Sequence, residues 1–75
     1  MPMEKLFEYW KRQPFAPFDI KMSDGRVYTV DHPDFLMRSR DNRTIMFVTE
    51  DNREVALAMV HITSLEVANT PAAPG

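Results

Sequence analysis

The sequence predicts a mainly β fold with one N-terminal α-helix, its five short strands curled into a small barrel. Three observations carry this. Residues 17–30 read PFDIKMSDGRVYTV, two alternating strands closed by Ser23-Asp24-Gly25, and Asp-Gly between apolar runs is the strongest short-range hairpin signal. Two further turn signals, Asp41-Asn42-Arg43 and Asp51-Asn52-Arg53, follow at ten-residue spacing, a rhythm that suits an antiparallel barrel or curled sheet. Before all of them, Met3, Leu6, Phe7 and Trp10 fall at i, i+3, i+4 and i+7, one stripe of a short amphipathic helix.

Pro2 suits the first turn of that helix, Glu4 its positive end, and Lys11 and Arg12 its negative end. Pro14 stops the helix and Pro17 keeps the following residues extended. A helix this short is marginal alone, so its stripe must dock, with Phe15 and Phe18 as the hinge that folds it back over the sheet.

The register of the first hairpin follows from its side chains. A two-residue loop at Asp24-Gly25 would pair Ile20 with Thr29 and send Tyr28 and Val30 to the polar side. A three-residue loop, with Gly25 left-handed in a bulge, pairs Ile20 with Tyr28 and Phe18 with Val30. It collects Phe18, Ile20, Met22, Tyr28 and Val30 on one face, and a one-residue slip would undo this, so the apolar pattern favours the bulge. His32-Pro33 interrupts, residues 35–39 resume as a strand, and residues 44–49 alternate Ile45 and Phe47 against Met46 and Val48. Residues 54–60 are apolar on both faces, and Ile62, Leu65 and Val67 mark a last strand. The expected core is Phe18, Ile20, Met22, Tyr28, Val30, Phe35, Ile45 or Met46, Leu57 and Leu65, with Met3, Met22, Met37, Met46 and Met59 as adaptable fillers. Residues 1–67 then form one helix-plus-barrel domain and residues 68–75 a disordered tail.

Seventy-five residues without a cysteine bury only about 60% of the surface their unfolded chain exposes. With neither disulfides nor a cysteine-based zinc site, sharing apolar surface with another copy is the remaining common source of stability, so a homo-oligomer is expected. No secretory pattern opens the chain, and no apolar run approaches membrane-spanning length. A cytoplasmic protein without a membrane partner is expected. The formal charge of −2 excludes coating nucleic acid by net charge alone.

A helix followed by five short strands in a meander resembles the layout of Sm-like proteins, and Val60-His61-Ile62-Thr63-Ser64-Leu65-Glu66-Val67 resembles their closing segment. That resemblance implies an Sm/SH3-like barrel. The Sm signature also carries an Asp-x-x-Met-Asn-like base-stacking loop, where this chain has His32-Pro33-Asp34-Phe35. Near the end, the family's Arg-Gly or Lys-His is replaced by Val60-His61. More locally, Pro14-Phe15-Ala16-Pro17-Phe18, Asp24-Gly25-Arg26 and His32-Pro33-Asp34-Phe35 resemble a set of short uncharacterised bacterial proteins, which implies no activity.

Candidate chemistry is sparse. His32 and Asp34 flank Pro33 and read as turn residues that hydrogen-bond the backbone. Ser23, Ser39 and Ser64 have no neighbouring base, and the chain has no glycine-rich phosphate loop. We therefore expect no enzyme, no catalytic residue, no cofactor and no metal. Phe7, Tyr9 and Trp10 read first as helix packing, with base stacking as the functional alternative. Arg38 and Arg40 alternate onto one strand face and would grip phosphates together, with His61 at the mouth of a pore by analogy with the Sm layout; a solvated charged edge is the plainer reading. These three are the candidate nucleic-acid contacts. Residues 55–60 need cover on both faces, so Val55, Leu57 and Met59 are the candidate subunit interface. The function expected is a non-catalytic assembly module, bound to itself and to a protein partner; the alternative is an Sm-like RNA-binding ring.

Overall fold

A computed structural model describes residues 1–68. Helix α1 spans Met3–Trp10, and strands β1 (Phe18–Met22), β2 (Val27–Val30), β3 (Leu36–Arg38), β4 (Thr44–Val48), β5 (Glu54–Ala58) and β6 (Ile62–Val67) follow, with 3-10 turns at Pro33–Phe35 and Met59–His61. The strands form two three-stranded antiparallel sheets, ordered β2-β1-β6 and β3-β4-β5. The chain is thus mainly β with one N-terminal helix, but it makes six strands in two sheets instead of five in one closed barrel. Pro33 is the local reason. It has no N–H to give a ladder, and it sits at the start of the 3-10 turn that parts β2 from β3.

The hairpin register is the bulged one. Phe18 pairs with Val30 and Ile20 with Tyr28, Gly25 N–H donates to the Met22 carbonyl, and Met22 N–H donates to the Arg26 carbonyl. Gly25 has φ +91, and Asn42 (φ 61) and Asn52 (φ 65) hold the same left-handed corner in the other two hairpins. All three turns read Asp, then Gly or Asn, then Arg. A Cβ on Gly25 would meet nothing within 4 Å, so substitution there is limited by backbone conformation alone. Gly25→Val should cost about 1–3 kcal/mol, and Gly25→Asn much less, because asparagine tolerates this region. Equal melting temperatures for the two variants would refute that account.

One core joins both sheets and the helix. Phe18, Ile20, Val30, Ile45 and Leu57 are buried as expected, with Met22, Tyr28 and Leu65 packed half-buried against them. Met3, Leu6 and Trp10 supply the helix's share. Phe35 departs from expectation at 41% exposed, with Leu36 buried in its place. The 3-10 turn consumes Phe35, so β3 starts one residue later and the alternation shifts. Met37, at 68% exposed, is no core filler either.

Long-range bonds set the helix across one end of the sheets. The Trp10 indole N–H donates to the Pro33 carbonyl (2.9 Å), and the Met1 ammonium donates to the Met59 carbonyl (2.9 Å). Tyr9 and Phe15 lie with their ring centres 5.7 and 6.0 Å from that of Phe18, so the hinge packs as expected. Ala68 N–H donates to the Pro17 carbonyl at 2.8 Å, which continues the β1–β6 pairing by one residue. The rest of the predicted tail, residues 69–75, lies outside the described residues.

Candidate functional site

The β5 strand lies at a sheet edge, and its pairing with β4 determines which of its backbone groups are free. Met59 N–H donates to the Arg43 carbonyl and Thr49 N–H to the Arg53 carbonyl, each at 2.8 Å. The pairs between them, Ile45 with Leu57 and Phe47 with Val55, are therefore the hydrogen-bonded positions, because an antiparallel ladder alternates. The N–H and C=O of Glu54, Ala56 and Ala58 consequently point away from β4, and of these the Ala58 carbonyl accepts the first bond of the 3-10 turn Met59–His61. Natural edges are guarded by lysine, proline, bulges or brevity. β5 has none of these, and Glu54 is its only charge. A cleft of about 350 Å³ runs between this edge and the β1–β2 hairpin, lined by Met22, Ser23, Arg26, Tyr28 and His61 opposite residues 55–58.

Of the residues predicted as a subunit interface, Leu57 is 3% exposed and Met59 is also buried, with Val55 half-buried against the same core. Their inner face is covered by the chain itself. The open face of this segment is the other parity: Ala56, Ala58 and, beyond the strand, Val60, which is 78% exposed. The sequence missed these residues because both parities of the stretch are apolar and the larger Leu57 and Met59 outweigh the two alanines. Across the sheet, Met37, Met46 and Ala56 form one cross-strand row. Phe35, Met37, Met46, Val48 and Glu54 line an apolar hollow of about 200 Å³ on that outer face.

The predicted basic contacts sit on two segments, the end of β3 with its turn and the 3-10 turn before β6. Arg38 ends β3 and donates through Nη1 to Asn42 Oδ1 (2.6 Å), with its guanidinium 5.7 Å from the centre of the Phe7 ring. Arg40 is exposed in the turn that follows. His61 lies beside the β1–β2 turn, where its carbonyl accepts from Ser23 N–H (2.8 Å). A chain of contacts instead joins Arg38 to the helix. Phe7 lies 5.7 Å from Trp10, ring centre to ring centre, Lys11 Nζ lies 4.3 Å from the Trp10 ring, and Arg12 sits 5.2 Å from that of Tyr9. Lys5, Lys21, Arg26 and Arg53 hold carboxylates. Among the described residues, Lys11, Arg12, Arg38, Arg40 and Arg43 have no carboxylate within ion-pair distance.

The remaining polar groups serve the turns. His32 Nδ1 accepts from Asp34 N–H (3.1 Å) and caps the 3-10 turn. The Ser39 hydroxyl, followed by Arg43 N–H, holds Asp41 below the usual carboxylate range. The Thr49 hydroxyl, with the Arg53 charge behind it, does the same for Asp51. The Lys21 ammonium is pushed up by its bond to Glu66 at 2.6 Å. Among the described residues, no three His, Asp or Glu side chains gather to hold a metal ion, and no helix is long and apolar enough to cross a membrane. In comparisons with known proteins, the chain matches no family model, no curated protein and no solved structure.

Proposed function

We propose that the chain is a non-catalytic assembly module, a small Sm/SH3-like β-barrel that binds copies of itself through the open edge of β5. The observation that carries this is the edge itself: the N–H and C=O of Glu54 and Ala56 and the N–H of Ala58 are turned away from β4, beside an apolar outer face. An unguarded edge is a template for strand addition. The barrel half of the reading is supported by how the sheets join. β2 leads into β3 and β5 into β6 through single 3-10 turns, and the Tyr28 and Phe47 rings pack edge to face between the sheets, centres 5.9 Å apart.

Size exclusion with light scattering tests assembly. The expected mass exceeds the 8.7 kDa of one chain and rises with concentration. Ala58→Pro should return it to one chain without lowering the melting temperature. Ala58 has φ −75, within proline's range, and its N–H points away from β4. A wild-type protein of single-chain mass at every concentration would end this reading.

A second reading, the Sm-like RNA-binding ring, is favoured by one observation: Lys11, Arg12 and Arg38 rest on aromatic rings without carboxylate partners. Such a face offers charge to phosphates and ring surfaces to bases. Binding of fluorescent oligo-U or oligo-A should weaken steeply with salt, and Arg38→Ala with Arg40→Ala should abolish it. Unchanged affinity in that double variant would remove this reading.

A further inference from the structure

We propose that β5 pairs with β5 of a second copy, antiparallel and centred on Ala56, so that Glu54 of each copy faces the end of the other that carries Arg43. This rests on the assembly reading and specifies its geometry. The outward-pointing backbone groups belong to Glu54, Ala56 and Ala58, which are symmetric about Ala56, and of these the Ala58 carbonyl also accepts the first bond of the 3-10 turn. An antiparallel self-pair centred there makes the two Ala56 residues exchange both bonds, and sets Glu54 opposite the second copy's Ala58. Both groups of Ala56, the Ala58 N–H and the Glu54 carbonyl are then satisfied, and the Glu54 N–H shares the Ala58 carbonyl with the 3-10 turn. A methyl group at the two-fold axis lets the backbones reach ladder spacing.

Charge selects the antiparallel direction. Glu54 has no ion pair among the described residues and borders the apolar hollow at one end of β5. Arg43, also without a carboxylate within ion-pair distance, borders a second hollow, of about 560 Å³, with Thr44, Ala58 and Val60 at the other end. Rotation about Ala56 sets Glu54 opposite the other copy's Ala58, with Thr44 and Arg43 on the strand beyond it, whereas parallel pairing would set Glu54 against Glu54. The outer row Met37, Met46, Ala56 then continues into the same row of the second copy, and the two three-stranded sheets merge into one. Head-to-tail pairing of β5 with β6 offers less. The β6 strand carries Glu66 and no cation, and its ladder is broken by a register shift at Lys21/Met22.

Charge-swap and cross-linking variants test the geometry, with melting curves to confirm that each variant folds. Glu54→Arg and Arg43→Glu should each weaken the dimer about tenfold, and the double variant should recover to within about threefold of wild type, since the two-fold repeats each modest exposed charge contact and each single variant turns attraction into repulsion. The wild-type chain has no cysteine, so Ala56→Cys reports alone. Facing Cα atoms at about 5.5 Å lie within disulfide range, and mild oxidation should give a covalent dimer. A dimer or larger assembly that neither cross-links at residue 56 nor recovers in the charge swap would overturn this geometry while leaving assembly through another contact. A single-chain mass at all concentrations would overturn both.

Discussion

Phe18→Ala is expected to leave the domain largely unfolded at 37 °C. Phe18 is fully buried in the central strand of its sheet, paired with Val30 on one side and Val67 on the other. The Tyr9 and Phe15 rings pack on it from the helix and the proline-rich connection, so three parts of the chain meet at this one side chain. Removing a buried phenylalanine ring costs about 3–5 kcal/mol, because the surroundings collapse only partly into the space. A domain of this length commands about 3–10 kcal/mol in all. Urea unfolding followed by Trp10 fluorescence measures the loss. A cost below about 1 kcal/mol would mean that helix and hinge do not dock on β1. Phe18→Leu, which keeps part of the volume, should lie between the two.

The same residue shows why much of this fold was legible. Phe18, Ile20, Tyr28 and Val30 share a parity only in the bulged register, so burial and turn chemistry agree, and Gly25 takes the left-handed corner that this register requires. Local signals also placed α1 and all three hairpin turns. Where both parities are apolar, alternation decides nothing. Residues 55–60 are such a stretch, and only the packing of Leu57 against its partner Ile45 shows which face turns inward. Phe35 and Leu36 fail for a related reason: a single 3-10 turn shifts the alternation by one. The position of the helix depends on bonds from Trp10 to Pro33 and from Met1 to Met59, which no local pattern encodes. At the candidate site, Arg38 and Arg40 were visible as charge. The contact of Arg38 with Phe7 was not, since it joins an early helix to a later strand. His61 drew attention through its place in the sequence, and its carbonyl bond to Ser23 N–H ties it to the β1–β2 turn.

Neighbouring residues on β5 should separate folding from assembly. Leu57→Asp is expected to abolish cooperative unfolding. It places a carboxylate at a site 3% exposed, beside Ile45 and with no cation in the core, since no charged residue is buried among those described. Burying an unpaired charge is among the few changes that cost more than about 4 kcal/mol, comparable with the whole stability of a small domain. Ala56→Asp, one residue away, puts the same carboxylate on the exposed outer face. The fold should lose at most about 1 kcal/mol, the usual span of strand propensity. Assembly should suffer far more, because two like charges would then face each other where two methyl groups met. Melting curves and solution masses of the two variants make the comparison. A folded Leu57→Asp protein with the wild-type melting temperature would reverse the assignment of the inner face. If Ala56→Asp unfolded, residue 56 would have to pack within its own chain, and the edge would not be free to receive a second strand.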